Sequence, residues 1–143
     1  MKRLLLLSIL FCSFSAFSQV SSIVGNWKTI DDKTGEAKSV IRIYKGTDGN
    51  YYGKIEKLFE NPDAKCVNCK GADKDKPILG MVIITEMKEK GDKLDDGFIL
   101  DPDNGKKYHA SLSIDKKSGK LVVRGSLDKR GVVGRSQYWV KAD

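Results

Sequence analysis

Lys107 to Ile114 alternates cleanly. Tyr108, Ala110, Leu112 and Ile114 fall on one face, and Lys107, His109, Ser111 and Ser113 on the other. That is the pattern of an antiparallel strand with one buried and one wet face. Turn signals bracket it. Asp101-Pro102-Asp103-Asn104-Gly105 joins the apolar segment Phe98 to Leu100 onto this strand, and Asp115 to Gly119 makes the next reversal. Pro fixes φ, while Asn and Gly accept positive φ, so the chain turns back at such points. Leu121 to Leu127 then reads as a strand, Lys129-Arg130-Gly131 as a turn, and Val133 to Lys141 as a closing strand.

The earlier half follows the same plan. Trp27 to Asp31 is a short strand and Asp32 to Gly35 a turn. Ser39 to Tyr44 returns with Ile41 and Ile43 on one face, Thr47 to Asn50 turns, and Tyr51 to Phe59 leads back. Glu60 to Pro77 is the long irregular segment. Met81 to Met87 is continuously apolar at its start; its β-branched residues predict a strand, and a short helix is the alternative. About eight strands joined by short reversals predict an all-β fold, an antiparallel up-and-down barrel in which closure removes exposed edges. A two-sheet sandwich is the alternative.

The first residues do not belong to this pattern. Lys2 and Arg3 precede an apolar run from Leu4 to Phe17, and Ala16-Phe17-Ser18 offers small residues where a signal peptidase reads. This predicts a secretory leader over residues 1–18 and a single domain over 19–143. The run is about 14 residues, short of the roughly 20 that span a bilayer, so the mature chain is expected to be exported to a periplasm or secreted, and not membrane-spanning. The formal charge of +7 becomes +5 without Lys2 and Arg3. A basic surface can attract an anionic envelope component, although acids and bases are interspersed here. Export argues against nucleic acid.

Two cysteines remain in the mature chain, as Cys66-Val67-Asn68-Cys69. In an oxidising compartment such a pair reads first as a disulfide. A redox site would want a βαβ unit, and tetrahedral zinc about four ligands. His109 alone could add a nitrogen donor. It falls on the wet face of its strand, with no nucleophile signature to complete a triad. Asp95-Asp96 and Asp101 to Asp103 lack the spacing of a calcium loop and read as turn formers. No catalytic constellation emerges, and no cofactor or metal is implied.

Gly25-Asn26-Trp27 at the head of the first strand resembles the opening motif of lipocalins and related calycin barrels, whose Trp packs across one barrel end near a basic side chain from a late strand. In a closed meander the first and last strands are antiparallel neighbours. Trp27 and Trp139 should then share a barrel end and plug it, leaving any opening opposite. Arg124 and Arg135 have an ambiguous facing. Turned inward, each needs a partner, since an unpaired buried charge is costly: Asp31, Glu56, a carbonyl on the Trp27 side of the barrel, or a ligand carboxylate. The candidate ligand-contacting residues are therefore Trp27, Tyr108, Arg124, Arg135 and Trp139.

From Ile23 to Lys141 the chain also resembles the bacterial family called domain of unknown function 2147. The resemblance rests on ordered motifs: Gly25-Asn26-Trp27, Cys66 to Gly71, Pro77 and Gly80, Gly97 to Pro102, Gly105 to Tyr108, Leu121 to Gly125, and Gly134 to Trp139. The chain departs from it at Ser126, where an aromatic is expected, and at Asp96, where a Gly is common. The resemblance implies a small exported lipocalin-like barrel and assigns no catalytic residue. The leading expectation is an exported monomer that binds a small hydrophobic or amphipathic ligand, with room left by Ala110 and Gly125. The alternative is a non-enzymatic envelope protein with a filled barrel.

Overall fold

The computed structural model describes residues 19–142; the expected leader and its cleavage site lie outside them. A four-residue helix, α1 (Val20–Ile23), precedes eight strands: β1 (Gly25–Ile30), β2 (Ala37–Lys45), β3 (Tyr51–Leu58), β4 (Val82–Lys90), β5 (Lys93–Asp101), β6 (Lys106–Ile114), β7 (Leu121–Ser126) and β8 (Gly134–Lys141). Every strand pairs antiparallel with its neighbour in sequence, and β1 pairs with β8, so the sheet closes. The up-and-down barrel expected from the turn spacing is the observed fold, and the sandwich is not.

Alternation sets the inner face. Ile41 and Ile43 on β2, Ile55 on β3, Leu94 on β5, Ala110 and Leu112 on β6, and Leu121 and Val123 on β7 are all buried. The segment left open between strand and helix is strand β4. Its adjacent Ile83 and Ile84 are both buried because the β3–β4 register shifts there.

The two barrel ends differ. At one end α1 folds across the opening with Val20 and Ile23 buried. The Trp27 Nε1–H donates to the Ile23 carbonyl (2.8 Å), which ties the helix to β1. Trp27 and Trp139 are both buried on the inner side at this end, as the closure argument requires. At the other end lie the β1–β2, β5–β6 and β7–β8 loops and the 59–81 segment. That segment carries the Cys66–Cys69 disulfide and a single 3₁₀ turn at Gly71–Asp73.

The disulfide segment is docked. Cys66 and Cys69 are buried, and Cys66 Sγ lies 3.5 Å from the Pro102 carbonyl oxygen. Asn68 Nδ2–H donates to the Asp103 carbonyl (2.7 Å). Lys38 of β2 reaches Asp103 (3.6 Å) as well as Asp31 (3.8 Å), which links the β5–β6 turn to a strand three places away. The acidic run at 101–103 forms a turn, as its composition suggests: Asp101 Oδ1 accepts the Asp103 N–H (2.9 Å).

Candidate functional site

The five candidate ligand contacts do not converge. Trp27 and Trp139 belong to the closed end. The basic side chain over the Trp27 ring is neither arginine but Lys141, whose Nζ stands 4.7 Å from the ring centroid. Lys141 was legible only through pairing, since it sits opposite Trp27 in the β1–β8 ladder. Arg135 shares a side of β8 with Trp139, yet it lies at the far end of the strand. There it is exposed and 3.8 Å from Asp32.

Arg124 lies on the outer face, opposite the side taken by Leu121 and Val123. Its Nε–H donates to the Gly131 carbonyl (2.7 Å), one terminal nitrogen to the Val132 carbonyl (3.3 Å) and the other to Ser136 Oγ (3.4 Å). Its partners are thus carbonyls of the β7–β8 loop, at the barrel end away from Trp27, and not the acids, ligand or Trp27-side carbonyl that an inward arginine would have needed. Of the five, Tyr108 alone lines the opening at the barrel mouth, and Arg124 borders a separate depression on the outer wall.

That opening is a depression of about 450 Å³ at the disulfide end. Tyr108, Leu100 and Leu127 supply an apolar wall, and Lys70, Lys106 and Lys107 bring positive charge against the single acid Asp73. The Tyr108 hydroxyl accepts a hydrogen bond from Asn104 Nδ2 (3.1 Å), which fixes the ring against the β5–β6 turn. A β-carbon added at Gly125 would already touch Ile99 and Tyr108 at 3.7 Å, ordinary contact distance, and Ala110 is buried.

A second depression, about 410 Å³, lies on the outer wall of β5, β6 and β7 beneath the β7–β8 loop. Its floor is the Phe98–His109 ring pair, centroids 5.3 Å apart. Lys88, Lys93, Arg124, Lys129 and Arg130 line it against Asp95 and Asp96. Both acids are already engaged: Asp95 lies 3.3 Å from Lys93, and Asp96 pairs with Lys90. The Lys90 hydrogen bond holds the Asp96 carboxyl below its usual value of 3.8. In the loop above, the backbone N–H groups of Val133 and Val132 hold the Asp128 carboxyl low in the same way. The sequence concealed this groove because it forms where a loop folds back onto outward side chains of three strands.

Among the described residues no cluster of three or more His, Cys, Asp or Glu is arranged for a metal, and no helix is long and apolar enough to cross a membrane. Cys66 and Cys69 form a disulfide, while the His109 ring packs at a tilt against Phe98.

Comparison with known proteins agrees with the fold. The bacterial family described as "Uncharacterized protein conserved in bacteria (DUF2147)" matches residues 25–141. Among solved structures, a protein of Helicobacter pylori, HP1028, described as belonging to the lipocalin family, superposes with a TM-score of 0.73 at 17% identity. The match covers 84% of this chain and 82% of that one. The search of curated proteins finds no match.

Proposed function

We propose that this chain, which belongs to the DUF2147 family, is an exported, non-enzymatic binding protein that holds one small amphipathic anion at the disulfide-bearing mouth of its barrel. The depression at that mouth carries the reading. A hydrocarbon portion fits against Tyr108, Leu100 and Leu127, and an acidic group fits near Lys70, Lys106 and Lys107. Ligand sites have this character, an apolar surface with a few placed polar groups. A barrel of eight strands either fills its interior or holds one ligand. The depression lies at the rim, so this reading puts the ligand there. Export rests on the leader pattern and fits the disulfide. The lipocalin description belongs to the H. pylori protein; at 17% identity the likeness supports the fold alone.

The fully buried inner side chains, Ile41, Ile43, Leu112 and Leu121 among them, support a second reading, a filled barrel that serves as an envelope scaffold and binds through its surface. Native mass spectrometry of the mature protein from its own cells separates the two. The expected result is an added mass that leaves on denaturation, together with saturable binding of anilinonaphthalene sulfonate, an amphipathic anion. Leu127→Asp and Lys106→Glu should each weaken that binding. A bare mass with no probe binding would leave the scaffold reading standing.

A further inference from the structure

The three most exposed large apolar side chains among the described residues all lie in the β7–β8 loop: Val132 at 74%, Leu127 at 70% and Val133 at 57%. Mobility does not account for this, because the loop is tightly hydrogen-bonded. Arg124 holds the carbonyls of Gly131 and Val132, and the Leu127 N–H donates to the Val133 carbonyl (2.8 Å). Ser126 Oγ donates to the Asp128 carbonyl (2.7 Å). The Asp128 carboxylate accepts the N–H groups of Val132 (3.0 Å) and Val133 (2.7 Å). The loop's acid is consumed internally, whereas Lys129 and Arg130 have no ion-pair partner among the described residues. Both cations line the basic groove on the outer wall. A fixed loop that presents apolar side chains to water beside unpaired cations has the chemistry of an interfacial anchor.

We propose that the β7–β8 loop docks the barrel onto an anionic phospholipid surface, with Val132 and Val133 entering the interface and the groove under Lys129 and Arg130 receiving a lipid phosphate. Apolar insertion and basic residues near an anionic headgroup layer reinforce each other. The groove's two acids pair most closely with Lys93 and Lys90, and Asp96 also attracts Lys129 and Lys88 at longer range, but the lining cations outnumber the acids and leave an excess of positive charge. The exposed valines favour a phosphate presented by a membrane over one free in solution, because a soluble anion gives them nothing to bury against. This docking does not depend on the ligand site at the mouth, and the residues tested for one are left intact for the other.

The test is co-sedimentation of the mature chain with vesicles of phosphatidylcholine alone or of phosphatidylcholine with phosphatidylglycerol, at low and high salt. The protein should pellet with the anionic vesicles only, and less as salt rises. The double variants K129E/R130E and V132D/V133D should each lower the vesicle affinity by more than about tenfold, with the far-ultraviolet circular dichroism unchanged and anilinonaphthalene sulfonate still bound. Failure of the unaltered chain to pellet at low salt would overturn the proposal, as would unaltered pelleting of either folded variant. Inorganic phosphate that shifts the Ser126 and Gly131 amide resonances without vesicle binding would replace the membrane by a soluble anion. A concentration-dependent dimer lost in V132D/V133D, again without vesicle binding, would replace it by a second copy.

Discussion

The Sδ of Met87 occupies the place that a β-carbon on Gly97 would need: such an atom would lie 2.3 Å from that sulfur and 2.5 Å from the Thr85 carbonyl oxygen. The contact follows from paired irregularities. Glu86 and Asp96 take φ values of 58° and 59°, between the regular pairs Thr85↔Phe98 and Lys88↔Asp95. The bulged β4 turns Met87 fully into the core, and only glycine on β5 leaves it space. Bulges of this kind bend a strand and increase its twist.

Gly97→Ala should therefore cost about 3 kcal/mol, the upper end of the roughly 1–3 kcal/mol typical of forcing atoms into a packed core. Gly35→Ala is the control. It has a positive φ of 74° but open space around it, so only the backbone term of about 1–2 kcal/mol applies. Urea denaturation of both variants measures the difference. Equal losses would mean that β4 shifts freely to accommodate the methyl group.

Gly105 plays a matching part at the mouth. A β-carbon there would come within 1.9 Å of the Asn68 carbonyl oxygen, and φ is 71°. Gly105→Ala should lift the disulfide segment off the β5–β6 turn. Hydrogen exchange should accelerate at the N–H of Cys66, which donates to the Lys76 carbonyl, and of Ile78, which donates to the Ala64 carbonyl, while the amides of β6 and β7 keep their protection.

The disulfide closes a very short stretch of chain, three residues apart in sequence. Chain-entropy arguments then give about 2 kcal/mol for the cross-link. The Cys66→Ser/Cys69→Ser double variant should remain folded with roughly that loss by urea denaturation. In the unaltered protein both sulfurs should resist thiol reagents until it is unfolded and reduced.

Legibility followed regularity. The alternation at Lys107 to Ile114 placed β6 to within one residue of its observed start, with Asp-Pro and Asn-Gly marking the reversal before it and Ser-Gly the one after. β4 resisted because its register shift and the bulge at Glu86 break the two-residue period, leaving continuous apolarity to read. Asp96 stood out as a departure from a common glycine, and its positive φ explains why glycine suits that position. At the site, alternation found Tyr108, but facing says nothing of position along a strand. Arg135 therefore shares a face with Trp139 without sharing its surroundings. The outer groove had no local signal at all, since its cations come from strands and a loop far apart in the chain.

Arg124 should not be replaceable by lysine. The guanidinium meets two carbonyls and a hydroxyl in fixed directions, which a single ammonium cannot reproduce. Arg124→Lys should leave the barrel intact but speed proteolysis within Leu127 to Val133, with Arg124→Ala faster still. Identical digestion of all three proteins would show that Asp128 alone holds the loop.

Asp128 gives the same loop an acid limit. Its carboxyl is held below the ordinary 3.8 by the N–H groups of Val133 and Val132. A depressed folded value means that the stabilisation is whole above about pH 4 and is lost as pH falls through the folded pKa. Proteolysis of the loop by an acid protease should rise in that window, and Asp128→Asn should remove most of the pH dependence while weakening the loop at neutral pH.

Tyr51 sets the opposite limit at the closed end. Burial chiefly, and then its hydrogen bond to Glu89, push the phenol from 10.0 up to about 12. Between those values the folded chain keeps a proton that the unfolded chain has released, so stability falls as pH rises. The contribution is fully present below about pH 10 and is lost by pH 12. Ultraviolet titration should show Tyr51 ionising late, along with Tyr52, whose phenol its hydrogen bond to Asp48 also raises, and Tyr51→Phe should flatten the alkaline decline in urea midpoint. Glu89→Gln removes the charge but leaves burial in place, so it should lower the Tyr51 pKa only partway towards 10. A complete return to 10 in that variant would make the carboxylate, rather than burial, the dominant cause.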